Sequence, residues 1–309
     1  MKKSIWGLFV LMAILMTAMV ELQSQVPDTD IYLIDFKRKK NGKIKLGKPL
    51  NFTPRKGYDN QPSFIQNGNS VLYTSIMEGD EKSDIYMYDI ERGEVVQITN
   101  TDSTSEYSPV QMPDAKYFSV VRVEEDDSTQ RMWKFPFDMA HYSPELLLEK
   151  TEPVGYYTWY DSTDLAMFIL GDPMSLHLAT PGDTSSFLAA GHVGRCIQRV
   201  PASRNRISFV HKLSDENWVI KELNTETLNT ETITETLPKS EDYCWTPEGE
   251  LLMGSEGKLY IWSAAATTGD IRWREIADFT GSPLEKFYRI AISPTGDRIA
   301  LVTYANEKP

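Results

Sequence analysis

The chain has 309 residues, 41% hydrophobic and 25% charged, the balance of a folded globular protein rather than a disordered one. Its 32 Lys and Arg against 44 Asp and Glu leave a net charge of -12, which excludes a nucleic-acid partner, since phosphate neutralisation needs excess cations. With 2 Cys and 4 His, neither a Cys-rich zinc module nor a disulfide scaffold can be built.

The N-terminus reads Met1-Lys2-Lys3, an apolar run from Ile5 to Val20, and a polar stretch from Glu21 to Gln25. A basic start, a hydrophobic stretch and a polar exit are the parts of a secretory signal. A single membrane anchor is the competing reading, because the apolar run nearly reaches the length needed to span a bilayer. The paired lysines at the extreme end and the polar residues that follow favour a signal over residues 1–25, leaving no stable membrane anchor after cleavage. Ala18-Met19-Val20 is an imperfect cleavage site, with Ser24 or Gln25 as alternatives, and no cysteine lies near for lipid attachment. Export to the periplasm or cell surface places Cys196 and Cys244 where a disulfide could persist.

Next comes a hairpin: Asp30–Asp35, a turn over Arg38–Lys43, then Ile44–Leu50. A second begins at Gln61-Pro62-Ser63-Phe64, turns through Asn67-Gly68 and continues in Ser70–Tyr73. The same grammar returns at Ser108–Gln111 with Tyr117–Val121, at Tyr157–Trp159 with Leu165–Leu170, and in degenerate form at Cys196–Gln198 with Arg206–Val210. Two clearer copies are Trp245–Glu250 leading into Leu251–Met253, and Ile292–Asp297 leading into Arg298–Val302. Anchoring on Phe64, Gln111, Trp159, Gln198, Trp245 and Ile292 gives spacings of 47, 48, 39, 47 and 47.

Each copy is followed by a further strand pair, beginning with Asp84–Ile90 and Val95–Ile98. The counterparts are Met132–Phe137 with Glu145–Leu148, Leu176–Ala179 with Ser186–Ala189, Trp218–Leu223 with Thr230–Thr236, and Lys258–Trp262 with Trp273–Ile276. Four short antiparallel strands per repeat make the blade of a β-propeller. The last copy ends after two strands, and the Asp30–Leu50 hairpin supplies the missing pair. This predicts an all-β fold: one six-bladed β-propeller over residues 26–309, its ring closed where the N-terminal hairpin joins the C-terminal strands and leaves no open half-blade.

The pattern Tyr58-Asp59-Asn60-Gln61-Pro62-Ser63-Phe64 with Asn67-Gly68-Asn69 resembles the TolB-like, or WD40-like PD40, propeller repeat. Ile292-Ser293-Pro294-Thr295-Gly296-Asp297 is a near copy with Thr295 in place of the usual aspartate, and Trp245-Thr246-Pro247-Glu248-Gly249 is another. Asp84–Asp89 and Asp30–Asp35 look like the third-strand signature of that family. The resemblance covers essentially the whole mature chain, is sharp in the first, fifth and sixth blades, and departs in the second to fourth. It implies a periplasmic or surface interaction module and no particular chemistry.

In a propeller, the loops between second and third strands share a face with the connections into the next blade. Here those loops carry Glu78, Asp80 and Glu81, then Glu124, Glu125, Asp126 and Asp127, then Asp172, then Asp215 and Glu216. Such a rim suits a basic partner or a divalent cation such as calcium, or simply solvates exposed turns. No Asp-x-Asp-x-Asp-Gly spacing is present, so no cofactor is expected, with calcium the one candidate. Tyr58, Tyr107, Tyr156, Tyr243 and Tyr288 stand near the start of the inner strands, with His192 in the corresponding region of the fourth blade. They could stack on sugars or hold peptide side chains, or serve strand packing alone. Trp159 and Trp245 read as packing between blades.

His192 and His211 map to the acidic face as isolated histidines, and there is no Gly-x-Ser-x-Gly, His-Glu-x-x-His or phosphate loop. Cys196 and Cys244 lie on neighbouring inner strands, as a disulfide if their Cα atoms fall within roughly 7 Å and as two buried thiols otherwise. The Thr-rich stretch from Asn224 to Thr232 suits an exposed hairpin. The sequence reads as an exported, non-catalytic binding or scaffold propeller for an envelope protein or peptide, with its acidic, tyrosine-bearing face as the working surface. The alternative is a carbohydrate-binding or lyase-like carbohydrate-active propeller, disfavoured for acidic sugars by the negative rim unless positive charge gathers in the channel.

Overall fold

The computed structural model describes residues 26–139, 141, 143–264 and 273–305, so the expected signal at 1–25 lies outside the described residues. The polypeptide enters with β1 (Thr29–Arg38), β2 (Ile44–Leu46) and β3 (Leu50–Asn51). Four-stranded antiparallel units follow. The first is β4 (Gly57–Phe64), β5 (Ser70–Met77), β6 (Asp84–Asp89) and β7 (Glu94–Gln97). The second is β8 (Ser105–Gln111), β9 (Tyr117–Val123), β10 (Gln130–Pro136) and β11 (Glu145–Leu146). The third is β12 (Val154–Trp159), β13 (Leu165–Ile169), β14 (Ser175–Ala179) and β15 (Phe187–Gly191). The fourth is β16 (Val193–Arg199), β17 (Arg206–Lys212), β18 (Trp218–Asn224) and β19 (Thr230–Glu235). The fifth is β20 (Tyr243–Trp245), β21 (Leu251–Ser255), β22 (Lys258–Trp262) and β23 (Trp273–Asp278), and β24 (Phe287–Ile292) and β25 (Arg298–Tyr304) end the series. Among the described residues no helix is long and apolar enough to cross a membrane.

The two ends of the polypeptide share one sheet. β25 pairs antiparallel with β1 from Thr29↔Tyr304 to Asp35↔Arg298, and β1 carries β2 and β3 on its other edge. A single parallel bridge, Thr29↔Tyr58, ties β1 to β4. The Thr29 hydroxyl donates to the Asp59 carbonyl at 2.9 Å, and the Asp59 amide donates back to it at 3.0 Å. Ser83, just ahead of the second Asp-Ile-Tyr segment, makes the corresponding contact, its hydroxyl donating to the Glu106 carbonyl at 2.8 Å. In the fourth unit the register shows Arg199↔Ile207, against Trp159↔Leu165 and Trp245↔Leu251. The structural anchor there is therefore Arg199, one residue after the Gln198 expected from sequence.

The second strand of each unit is buried on both faces. Val71 and Tyr73 of β5 pack with Ile31, Ala300 and Val302, whereas Leu72 between them packs with Phe118 and Val120 of β9. Ala166 and Phe168 of β13 face Ile207 and Phe209 of β17, whereas Leu165 and Met167 turn toward Val121 and Met132. Leu252 of β21 joins Ile299 and Leu301 of β25, which brings the last unit against the fifth. Alternate residues thus feed alternate apolar layers, as a period of two requires. The outermost strands are the opposite case: all four residues of β7 are exposed, and β19 is the Thr-rich edge expected from sequence.

Two Tyr-x-Trp segments clasp a buried serine of the preceding unit. Tyr243 Oη and Trp245 Nε1 each donate to Ser208 Oγ at 2.8 Å, and Trp159 Nε1 donates to Ser119 Oγ at 2.8 Å. The Tyr157 hydroxyl lies 2.9 Å from both Ser119 Oγ and the Ser108 carbonyl, so it keeps an acceptor if Ser119 is truncated. Tyr243 is fully buried and has no such reserve. Ser208→Ala should therefore cost about 1–3 kcal/mol in urea unfolding, the usual penalty for an orphaned buried donor. Ser119→Ala should cost less, and equal losses would remove the role assigned to the Ser108 carbonyl.

Candidate functional site

The first strands of the units converge on a cavity of about 670 Å³ lined by residues of β4, β8, β12, β16, β20 and β24. Its walls run from the middle of these strands to the turns that follow them, including Pro201, Pro247 and Pro294. The acidic loops lie at the other end. Ser105, which begins β8, pairs with Val123, immediately before Glu124. Cavity and acidic loops thus sit at opposite ends of the inner strands.

Irregular backbone builds the deepest part of the cavity. Gln61 and Ser108, each followed by proline, hold φ of 54° and 53°, a region non-glycine residues rarely adopt. Gln61 Oε1 consequently accepts from Ser108 N–H at 2.7 Å and Thr74 Oγ1 at 2.9 Å, bridging β4 to β8. Register shifts between Val193 and Ile197, and between Phe287 and Arg289, accompany Arg195 and Arg289 at the matching level. These irregularities turn polar side chains to where strict alternation would put apolar ones.

Arg195, Arg289, Asp242 and Tyr156 form that level. Arg195 Nη2 donates to Asp242 Oδ2, and Arg289 Nε stands 4.0 Å from Asp242 Oδ1. Arg289 Nη2 also donates to the Tyr156 hydroxyl at 3.2 Å, with its guanidinium 5.1 Å from the Tyr156 ring centre. Burial works against the Arg289 charge, but Asp242 and Tyr156 overcome it and hold its pKa above the ordinary arginine value. Sequence reasoning misses Arg195, Asp242 and Arg289. Their signal is nonetheless present: a charged residue three or four positions before the anchor, where the first two units carry Asn60-Gln61 and Tyr107-Ser108.

Four of the expected tyrosines do gather. Burial raises the Tyr58 pKa; Arg289 opposes the rise, and Tyr156, Tyr288 and Tyr107 add to it, so all lie within electrostatic reach. Tyr288 accepts from Asn60 Nδ2 at 2.6 Å and stacks on Tyr304. Of the expected tyrosines, Tyr156 and Tyr243 are among the residues lining the cavity, and Tyr243 is buried with its hydroxyl on Ser208, at the position matching Tyr157 rather than Tyr156. His192 is exposed, and the pKa of its neighbour His211 is lowered by burial, then by Lys221 and His192.

The acidic loops are partly tied down locally. Glu124 accepts from Arg131 Nη2 at 2.6 Å and from Trp133 Nε1 at 2.9 Å. Asp126 accepts from the Thr129 side chain at 2.6 Å and its backbone amide at 2.8 Å, bonds that hold its pKa well below the usual carboxylate range. Asp127 pairs with Lys82, Glu78 lies 3.6 Å from Lys56, and Glu125 accepts from Ser103 at 3.3 Å. Asp80, Asp172 and Asp215 are exposed. Among the described residues no group of three or more His, Cys, Asp or Glu is placed to hold a metal. Cys196 and Cys244 are free buried thiols, and burial pushes the Cys196 pKa up to about 12.

No protein-family model matches the chain, and no curated protein sequence does. Among solved structures, the putative TolB from Agrobacterium tumefaciens is similar with a TM-score of 0.66 at 14% identity, over 91% of this chain and 99% of that one. TolB from Acinetobacter baumannii gives 0.57 at 12% identity, over 96% and 69%. A component of a nidogen/laminin complex gives 0.60 at 12% identity, over 89% and 98%. The fold is a β-propeller. At such identities the likeness carries architecture and nothing of the site.

At the acidic-loop end this propeller also buries two carboxylates at matching positions of β4 and β8. Asp59 takes Arg55 Nη2 at 2.7 Å, and Glu106 lies 3.1 Å from Arg122 Nε, both carboxylates wholly buried. Desolvation outweighs Arg55 and lifts the Asp59 pKa to about 7. A carboxyl whose folded pKa is raised binds more protons folded than unfolded between its two pKa values. Its contribution to stability therefore falls as pH rises from about 4 to about 7, and stays unfavourable above. Asp59→Asn lacks this titration, so its melting temperature relative to the wild type should climb between about pH 4 and about pH 7 and level off above. A difference that stays flat with pH would show Asp59 ionised throughout.

Proposed function

We propose that this protein is an exported, non-catalytic binding or scaffold module of the bacterial cell envelope, acting on an envelope protein or peptide. In this reading residues 26–309 form one domain of six blades, residues 1–25 direct export, and the β1–β25 ladder closes the ring. The observation that carries it is the cavity of about 670 Å³ to which the inner strands contribute. Its deepest level consists of two arginines, a carboxylate and a phenol that hold one another, groups suited to gripping a ligand. Cys196 lines the same cavity, but with its pKa pushed up to about 12 it stays a protonated thiol and a poor nucleophile at neutral pH. The acidic loops at the far end are a second surface, available to a basic partner.

The carbohydrate reading gains one observation, since Arg195 and Arg289 remove the electrostatic objection to an acidic sugar inside the channel. Pull-down of residues 26–309 from envelope extract across a salt series, with partners identified by mass spectrometry, tests both surfaces. We expect one dominant partner, lost on Arg289→Gln and retained on the double change Glu125→Lys with Asp215→Lys. The reverse pattern would move the working surface to the acidic loops, and no reproducible partner would remove the binding reading. Capture should also survive chelation by EDTA; loss on chelation would assign a calcium requirement.

A further inference from the structure

The deepest level of the cavity holds two positive charges against one negative, since Arg195 and Arg289 share Asp242. The nearby Glu241 does not redress this balance: it accepts the Arg195 backbone amide and lies 3.4 Å from Lys212. Arg289 is largely enclosed, its side chain being 13% exposed, Arg195 is half-buried, and Nε of each is buried without a hydrogen-bond partner. A guanidinium has five N–H donors. One bond from each is made to a protein acceptor, to Asp242 by Arg195 and to Tyr156 by Arg289. Asp242 and Tyr156 keep the Arg289 guanidinium charged, yet Nε of each arginine is buried without an acceptor, which costs free energy. A second anion at this level would answer such donors.

We propose that Arg195 and Arg289 form a carboxylate-binding site in the depth of the propeller cavity, and that its ligand is a peptide carboxylate, either a free C-terminus or an acidic side group. Guanidinium groups present paired donors that match a carboxylate, and Asp242 fixes one of them in place. The walls around the site favour a peptide over an acidic sugar. One face of the Tyr156 ring, on which a sugar could stack, is covered by the Arg289 guanidinium. Phe64, Ile197, Ile290 and Ile292 supply apolar wall for side chains flanking the carboxylate. This inference rests on the cavity being the working surface.

The test is calorimetric titration of residues 26–309 with four probes. They are N-acetyl-Ala-Ala-Leu-Phe with a free C-terminus, the same peptide amidated, its amidated analogue with Glu in place of Leu, and trigalacturonate. We expect the free acid, the Glu analogue or both to bind roughly tenfold or more tighter than the uncharged amide, the worth of one charge-assisted bond. Which of the two binds tells a C-terminus from an acidic side group. Arg289→Gln and Arg195→Gln should each remove that preference, whereas Asp242→Asn, which takes away the competing carboxylate, should tighten acid binding. Opposite signs for the two kinds of change separate a charge effect from misfolding. Binding of both the free acid and the Glu analogue no tighter than the uncharged amide, no binding by any peptide, or tighter binding of trigalacturonate would overturn the proposal. If envelope capture nonetheless depends on Arg289, the cavity remains the working surface and only the carboxylate assignment falls.

Discussion

A strand covered on both faces is the constraint on which this molecule depends. β5, β9, β13, β17, β21 and β25 each send alternate residues into two apolar layers, so no unit has a core of its own. One sheet cannot bury both faces without a neighbour on each side, and that holds for the last unit as for the first. The pairing of β1 with β25 answers the requirement where the polypeptide begins and ends. Without it, Ile299 to Val302 would lose their outer partner strand, and the apolar layers on either side would lose Ile31, Leu33 and Ile34.

The same geometry makes the site. Sheets packed face to face around an axis bring their first strands together, so residues of β16, β20 and β24, distant in sequence, meet at one level. Regular alternation would leave that meeting point apolar and closed. Bulges and left-handed residues on the inner strands admit arginine, aspartate and tyrosine instead. Layer packing keeps such a level fixed in position, so charged groups can be held there partly unanswered, which a flexible loop could not do.

The two ends of the inner strands have different characters. At the loop end, Asp126 closes its own turn and Glu124 is held by Arg131 and Trp133, while Asp59 and Glu106 are buried with arginine partners. Much of the acidity legible in sequence is therefore structural. At the turn end, an acidic protein keeps a cationic pocket. Net charge describes the outer surface, and it says little about an enclosed group whose field is set by neighbours within a few ångströms.

Sequence alone determined the strand grammar, the approximate spacing of the units, the joining of the two ends and the packing role of Trp159 and Trp245. Each follows from local rules, namely alternation, turn residues and a repeat, that act over a few positions. It misplaced the fourth anchor by one residue because the degenerate copy there lacks a clear turn signal, and it aligned Tyr243 with Tyr156 when its partner on Ser208 makes it the counterpart of Tyr157. Only the tertiary structure decided that Arg195, Asp242 and Arg289 face one another. Their meeting depends on how far the bulges beside Arg195 and Arg289 rotate their strands and on three sheets sharing an axis, and neither quantity is written in any stretch of neighbouring residues.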